Sequence, residues 1–318
     1  MISRREWLRI NATAGAALSL NPRLLRALQN MEPITKAIPS TGERIPVIGL
    51  GGRWISRGSS REELAGHRAV LNALAEGGAG RLWDTAAGYG AGASEELSGQ
   101  WAQEDGFASD IFWATKVNVA QGRGGGGSVD PARVRAQIEQ SFERLRVPVI
   151  DLNQVHNMGD PPTQLAVLQE YKASGRIRYI GITTTSANQY GELEQVMRDY
   201  PLDFIGIDYA IDNRTAEERI FPLALDRGTA VLVYLPFGRS RMWGRIGDRP
   251  LPEWAAEFDA HTWAQFMLKF VVAQPAVTVA APGTGDPEHM VDNIGGGLGR
   301  LPTPEHLERM LAWERSLP

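Results

Sequence analysis

Asp84, Tyr89, Lys116 and His156 are the side chains of this 318-residue chain whose types and positions could move a proton. A carboxylate, a phenol, an ammonium and an imidazole are groups that general acid–base chemistry draws on. Asp84 and Tyr89 follow one apolar run, Lys116 ends the next, and His156 stands just past the one after that. Singly, each has a plain structural explanation. Asp84 could cap the following turn, Lys116 could be solvated, His156 could be a satisfied loop residue and Tyr89 could be packing. Gathered on one rim, the four could pass a proton and hold developing negative charge. The chain has no cysteine, which excludes disulfides, thiolate nucleophiles and Cys-ligated zinc.

Such a rim needs a scaffold that brings strand ends together. Short apolar runs at residues 45–50, 81–84, 111–117, 149–155, 177–183, 204–209, 230–235 and 277–281 alternate with segments of helical periodicity. The helical segments are 61–76, 94–103, 131–145, 163–174, 187–200, 216–226 and 262–273, with a terminal helix at 303–316. Val134, Ile138, Phe142 and Leu145 share one helical face, and Asp130-Pro131 opens that helix with an N-cap and a first-turn proline. Eight strands alternating with helices predict a single-domain α/β fold, a (β/α)8 TIM barrel, whose active sites gather at the C-terminal strand ends. The alternative is an open doubly wound sheet, which would use fewer strands and a phosphate-binding turn near its start. Gly122, Gly124 and Gly127 satisfy G-x-G-x-x-G, but they follow the third strand, so they read as a surface loop.

Composition narrows the partners. A net charge of −4 argues against nucleic acid. No apolar run approaches the roughly 20 residues that a membrane-spanning helix needs. Nothing suggests a metal site, and the sequence carries no signal of oligomeric state.

Taken together, the motifs resemble the aldo-keto reductase family. Asp84-Thr85-Ala86-Ala87-Gly88-Tyr89-Gly90 is similar to its D-T-A-x-x-Y-G segment, and Ser94-Glu95-Glu96-Leu97-Ser98-Gly99 to its S-E-E-x-L-G. Thr115-Lys116 resembles its T-K strand end, Asp151-Leu152-Asn153-Gln154-Val155-His156 its D-L-x-x-x-H, and residues 281–293 its last nucleotide-binding loop. The resemblance runs in order over about residues 35–300. It implies an NAD(P)H-dependent reductase or dehydrogenase acting on a small-molecule carbonyl substrate, an aldehyde or ketone. Tyr89 would be the general acid, Lys116 would stabilise its phenolate, Asp84 would hold the lysine and His156 would orient the carbonyl oxygen. The hydride must come from a nicotinamide, because no side chain supplies one.

The resemblance also assigns cofactor contacts. Tyr234 would stack on the nicotinamide, and Pro236, Phe237 and Gly238 lead a loop whose backbone would face the pyrophosphate. Thr183 and Thr184 stand where the family commonly has a Ser-Asn pair for the carboxamide, and Gly206 where a glutamine often does the same job. Thr284, Asp292 and Asn293 fit phosphate and adenosine roles. Gly283 and His289 replace a frequent lysine and arginine, and Asp286 adds a negative charge. NADP(H) is the expected cofactor on the family pattern, with NAD(H) as the alternative. Trp54 resembles the aromatic wall of the substrate pocket, and the insertion at 239–254 is expected near the site. A catalytically weak nucleotide-binding or regulatory protein on the same barrel is the second functional reading.

The first nine residues, Met1-Ile2-Ser3-Arg4-Arg5-Glu6-Trp7-Leu8-Arg9, precede an uncharged Ala/Gly-rich stretch at 10–20. A charged head before a short, modestly apolar core is what a signal peptide needs. This one resembles the twin-arginine class. Residues 1–33 are therefore expected to be signal peptide and linker, and 34–318 the barrel. The implied partner is the twin-arginine export machinery and the implied location the periplasm, with the cytoplasm as alternative. Cleavage near residues 20–35 and retention as an anchor both remain open.

Overall fold

A proline near the start of the first apolar run decides how the fold begins. The computed structural model describes residues 31–76, 80–120 and 128–318. The run at 45–50, expected as one strand, forms parts of two. Pro46 has no N–H to continue a central ladder. The chain turns there, and the Val47 N–H donates instead to the Ile34 carbonyl at 3.1 Å. Strand β1 (Thr35–Ala37) pairs antiparallel with β2 (Arg44–Pro46). The barrel strand β3 is Ile48–Gly51.

The remaining strands are β4 (Gly80–Asp84), β5 (Phe112–Val117), β6 (Ile150–Val155), β7 (Ile177–Thr184), β8 (Phe204–Asp208), β9 (Ala230–Tyr234) and β10 (Val277–Ala280). Strands β3 to β10 close into a parallel barrel, with β10 beside β3. Helices cover its outside: α1 (Arg61–Glu76), α2 (Ala93–Asp105), α3 (Pro131–Leu145), α4 (Pro161–Ala173), α5 (Tyr190–Asp199), α6 (Ile220–Arg227), α7 (Arg241–Ile246), α8 (Trp263–Ala273), α9 (Pro287–Gly295) and α10 (Pro304–Arg315). The Asp130 side chain caps α3 by accepting from Ala132 N at 2.8 Å, with Pro131 in the first turn. None of these helices is long and apolar enough to cross a membrane.

Two apolar clusters follow from the alternation of side chains along each strand. The outer one, with Leu50, Trp83, Val117, Val155, Ile182 and Ile207, packs strands against helices. The inner one fills the barrel with Leu82, Phe112, Leu152, Tyr179, Phe204, Leu232 and Val279, joined by Ile38 and Ile45 from the hairpin region. The hairpin thus plugs the N-terminal end of the cylinder and leaves the opposite end as its mouth.

Helix α9 stands where the sequence reading had only a nucleotide-binding loop. Its N-terminus repeats the Asp-Pro signal of α3: Asp286 accepts from Glu288 N at 2.8 Å and Pro287 occupies the first turn. The folded body also reaches back further than residue 34. Gly299 N donates to Glu32 O at 2.9 Å, and Ile34 N to Gly297 O at 2.8 Å. Residues 1–30 and the glycines 122, 124 and 127 lie outside the described residues.

Candidate active site

Strand register places a ring of residues at the mouth. Gly51 lies level with Asp84, Lys116 with Gln154, Thr183 with Gly206 and Asp208 with Tyr234. The Lys116 ammonium donates to Asp84 Oδ2 at 2.5 Å and to the Thr85 carbonyl at 2.7 Å. Lys116 Nζ sits 5.0 Å from the Tyr89 ring centre and 5.2 Å from that of Tyr234. Tyr89 meets His156 edge-on, with ring centres 5.6 Å apart. The structure therefore brings Asp84, Tyr89, Lys116 and His156 together. The loop bearing Tyr89 is tied to β5, since Ala87 N donates to the Lys116 carbonyl at 3.2 Å.

Burial sets the charges here. It pushes the Asp84 carboxyl above the ordinary carboxylate range, against the pull of the Lys116 ammonium. Burial opposes the lysine charge too, yet Asp84 and Tyr89 hold its pKa above that of an ordinary lysine. Lys116 is thus an ammonium at neutral pH, suited to stabilising negative charge on a phenol oxygen. Burial, then the charges of Lys116 and Arg53, lower the His156 pKa to about 3. The imidazole is neutral at pH 7, and its Nδ1 is buried without a hydrogen-bond partner among the described residues.

Tyr234 lies on the other side of Lys116. Its hydroxyl donates to Asp84 Oδ1 at 3.1 Å and accepts from Gln154 Nε2 at 3.2 Å. Its ring fills the space beside Gly206, where an added Cβ would meet Tyr234 Cε2 at 2.6 Å. A side chain at 206 and this tyrosine placement exclude each other. Thr183 and Thr184 are occupied within the fold. Thr183 Oγ1 accepts from Asn157 N at 3.1 Å, just past His156, and Thr184 Oγ1 donates to Gln189 Oε1 at 2.6 Å. Gln154 Oε1 and Asp208 Oδ1 are buried acceptors of this ring that have no partner among the described residues.

The loop after β9 carries several residues in the left-handed region: Leu235, Gly238, Arg239 and Ser240. Such backbone is costly for non-glycine residues and concentrates at functional sites. Pro236 is buried, and Phe237 packs on Trp243 of α7 with ring centres 5.1 Å apart. Arg239 donates to Asp208 Oδ2 at 2.6 Å and to the Thr185 carbonyl at 2.5 Å. Arg241 is held by Asp212 at 2.9 Å. The inserted segment is also anchored to the C-terminal residues, where Arg245 Nε donates to the Pro318 carbonyl at 3.0 Å.

The last loop divides its residues between two directions. Trp54, 43% exposed, lays its indole across Gly283, where an added Cβ would fall 1.8 Å from Trp54 Cζ2. Thr284 Oγ1 accepts from Asp286 N at 3.0 Å, and His289 lies 73% exposed with Nδ1 4.0 Å from Asp286 Oδ2. These three residues surround the N-terminus of α9. Asp292 turns the other way: its Oδ1 accepts from Thr262 Oγ1 at 2.9 Å and from Gln265 Nε2 at 2.8 Å, binding α9 to α8. Asn293 is buried on α9.

Sequence reasoning missed Gln154, Arg53 and the pairs Asp208–Arg239 and Asp212–Arg241. Gln154 lies within the segment that resembles D-L-x-x-x-H, a pattern that gives it no role. The spacing Asp208-x-x-x-Asp212 against Arg239-x-Arg241 was the signal for the two pairs. It also missed Glu95, fully buried in the S-E-E motif, which accepts from Thr115 Oγ1 at 2.6 Å and from Arg144 at 3.3 Å. Arg144 in turn donates to Ala87 O at 3.3 Å, two residues before Tyr89.

A parallel barrel with a phenol, an ammonium, a carboxylate and a neutral imidazole at its mouth defines a class of proton-transferring barrel enzyme. Residues 47–306 match the model of the aldo/keto reductase family, and the chain belongs to that family, an oxidoreductase acting on carbonyl compounds. It is 29% identical to the aldo-keto reductase yakc [NADP(+)] of Schizosaccharomyces pombe, over 80% of this chain and 84% of that one. It is also 29% identical to the NADH-specific methylglyoxal reductase of Escherichia coli, over 65% of each. Among solved structures, the holo form of aldo-keto reductase AKR11C1 from Bacillus halodurans shares the fold, with a TM-score of 0.70 and 24% identity over 88% of this chain and 96% of that one.

Proposed function

We propose that this protein reduces an aldehyde or ketone to an alcohol with NADP(H), Tyr89 giving the proton to the carbonyl oxygen. The observation that carries this is the contact of Lys116 with both Asp84 and Tyr89 at the barrel mouth. Tyr89 releases its proton as charge develops on the substrate oxygen, and the Lys116 ammonium stabilises the phenolate left behind. Asp84 fixes the ammonium in place. Neutral His156 is able to hydrogen-bond the same carbonyl oxygen without bringing a full charge. The hydride would come from a nicotinamide held beside Tyr234 and Gln154.

The residues present fit that cofactor. Gln154 Oε1 is a buried acceptor without a partner, suited to a carboxamide N–H, beside the Tyr234 ring that would stack on a nicotinamide. Arg239 stands in the loop assigned to the diphosphate with Arg241 just after it, and Thr284 stands before the N-terminus of α9, an end whose dipole favours a phosphate. The NADP(+) in the name of the fission-yeast relative supports NADP(H), and the NADH-specific bacterial relative keeps NAD(H) as the alternative. Fluorescence titration of the purified protein with NADPH and NADH tests this, with tighter binding of NADPH expected. Absence of binding to either would sink the reductase reading.

The amino-terminal Ser3-Arg4-Arg5 pattern supports export by the twin-arginine route to the periplasm. Lysine at both Arg4 and Arg5 should trap the protein in the cytoplasm of a twin-arginine-competent cell. Equal periplasmic recovery of that variant would contradict export by this route.

A further inference from the structure

We infer that Arg53 selects carbonyl substrates that carry a carboxylate. The inference rests on the carbonyl-reductase reading and names the substrate class of that same site. Arg53 leaves β3 between two fixed points. On one side, Gly52 N donates to the Asp84 carbonyl at 2.8 Å, while Ser94 Oγ donates to Gly52 O at 2.7 Å. On the other side, the Ile55 carbonyl packs directly on Gly90, the residue after Tyr89. The backbone of Arg53 is therefore held beside the residues that carry Asp84 and Tyr89.

Its guanidinium is exposed and makes no hydrogen bond or ion pair among the described residues. Its charge is nonetheless felt at the His156 imidazole across the mouth. Neighbouring cations are answered by carboxylates. Lys116 has Asp84, Arg57 has Glu96, Arg144 has Glu95, Arg239 has Asp208 and Arg241 has Asp212. Arg53 has no such carboxylate among the described residues, and its backbone adjoins those that carry Asp84 and Tyr89.

An arginine presents paired donors matched to a carboxylate, and a fixed positive charge at a cleft raises the local concentration of anions. A carboxylate elsewhere on the substrate would supply the missing partner and orient the carbonyl toward Tyr89. Part of the binding energy would then come from a group that does not react. The diphosphate of a cofactor is the other anion that could reach this residue, and the two are separated by measuring NADPH affinity beside turnover.

The test compares acid and methyl ester of one aldehyde: 4-carboxybenzaldehyde against methyl 4-formylbenzoate, and succinic semialdehyde against its methyl ester. Wild-type protein should show a kcat/KM for each acid at least about 10-fold above that for its ester, the size of one charge-assisted contact. In Arg53→Met that ratio should fall to near one, with Arg53→Lys between the two. An ester turned over as well as its acid by wild type would overturn the assignment while leaving the reductase reading intact. Loss of NADPH affinity in Arg53→Met, matched by equal losses for acid and ester, would move Arg53 to the cofactor's phosphates and overturn it as well. If no aldehyde is turned over, the reductase reading fails. Calorimetric binding of benzoate, which Arg53→Met should abolish, then decides the role of Arg53 separately.

Discussion

At the scale of single residues, the buried Lys116–Asp84 pair has two consequences that mutation can separate. Removing one partner leaves the other charge buried and unpaired, at a cost of about 3–5 kcal/mol. Lys116→Met should therefore lower stability by that amount in urea denaturation and also abolish turnover. Pairing it with Asp84→Leu should recover most of the stability and none of the turnover. A double variant that reduced aldehydes at a wild-type rate would show that the ammonium does nothing for Tyr89. His156 gives a pH signature. With a pKa near 3 when folded and the ordinary value when unfolded, it takes up a proton on unfolding anywhere between. Its contribution is fully present above the unfolded value and is lost as pH falls below it, by up to about 1.4 kcal/mol per pH unit. Thermal denaturation from pH 7 to pH 4 should thus be less steeply pH-dependent in His156→Gln. Identical pH profiles would place the imidazole in a solvated setting.

Helix α9 holds the question of the cofactor's 2′-phosphate at the scale of elements. Asp286 caps the helix and sets a negative charge on the segment that resembles the family's last nucleotide-binding loop, with His289 beside it. Serine caps a helix about as well as aspartate. Asp286→Ser should leave the melting temperature nearly unchanged and tighten NADPH by about 3-fold to 10-fold, the effect of one like charge removed. NADH affinity should stay level. Equal tightening of both nucleotides would show that the 2′-phosphate lies elsewhere. This helix also marks a limit of sequence reading. Its Asp-Pro start is the same as that of α3, yet the nine-residue helix is too short to show a clear apolar periodicity. Asp292, expected with Thr284 and Asn293 in phosphate and adenosine roles, bonds Thr262 and Gln265, a partnership that comes from the packing of α9 on α8 and that no sequence pattern signals.

For the molecule as a whole, the barrel was legible because strand ends and alternation repeat eight times in order. The Asp84, Tyr89, Lys116 and His156 group was legible for the same reason, since each sits at or just past a strand exit. The split at Pro46 was not, because a missing N–H shows its effect only through the strand it fails to join. Nor does any periodicity tell that the backbone of Arg53 adjoins the loop of Tyr89, that the Thr183 and Thr184 hydroxyls are already engaged, or that Tyr234 takes the space beside Gly206. Those depend on closure of the cylinder. The central claim is that this mouth passes hydride and proton to one carbonyl. Incubating the protein with 4-deuterated NADPH (both stereoisomers separately) and an aldehyde, then weighing the alcohol, tests it directly. The account predicts deuterium at the carbinol carbon from one stereoisomer, and loss of at least about 100-fold in rate, with NADPH binding retained, in Tyr89→Phe. Unlabelled alcohol, or an undiminished rate in Tyr89→Phe, would contradict it.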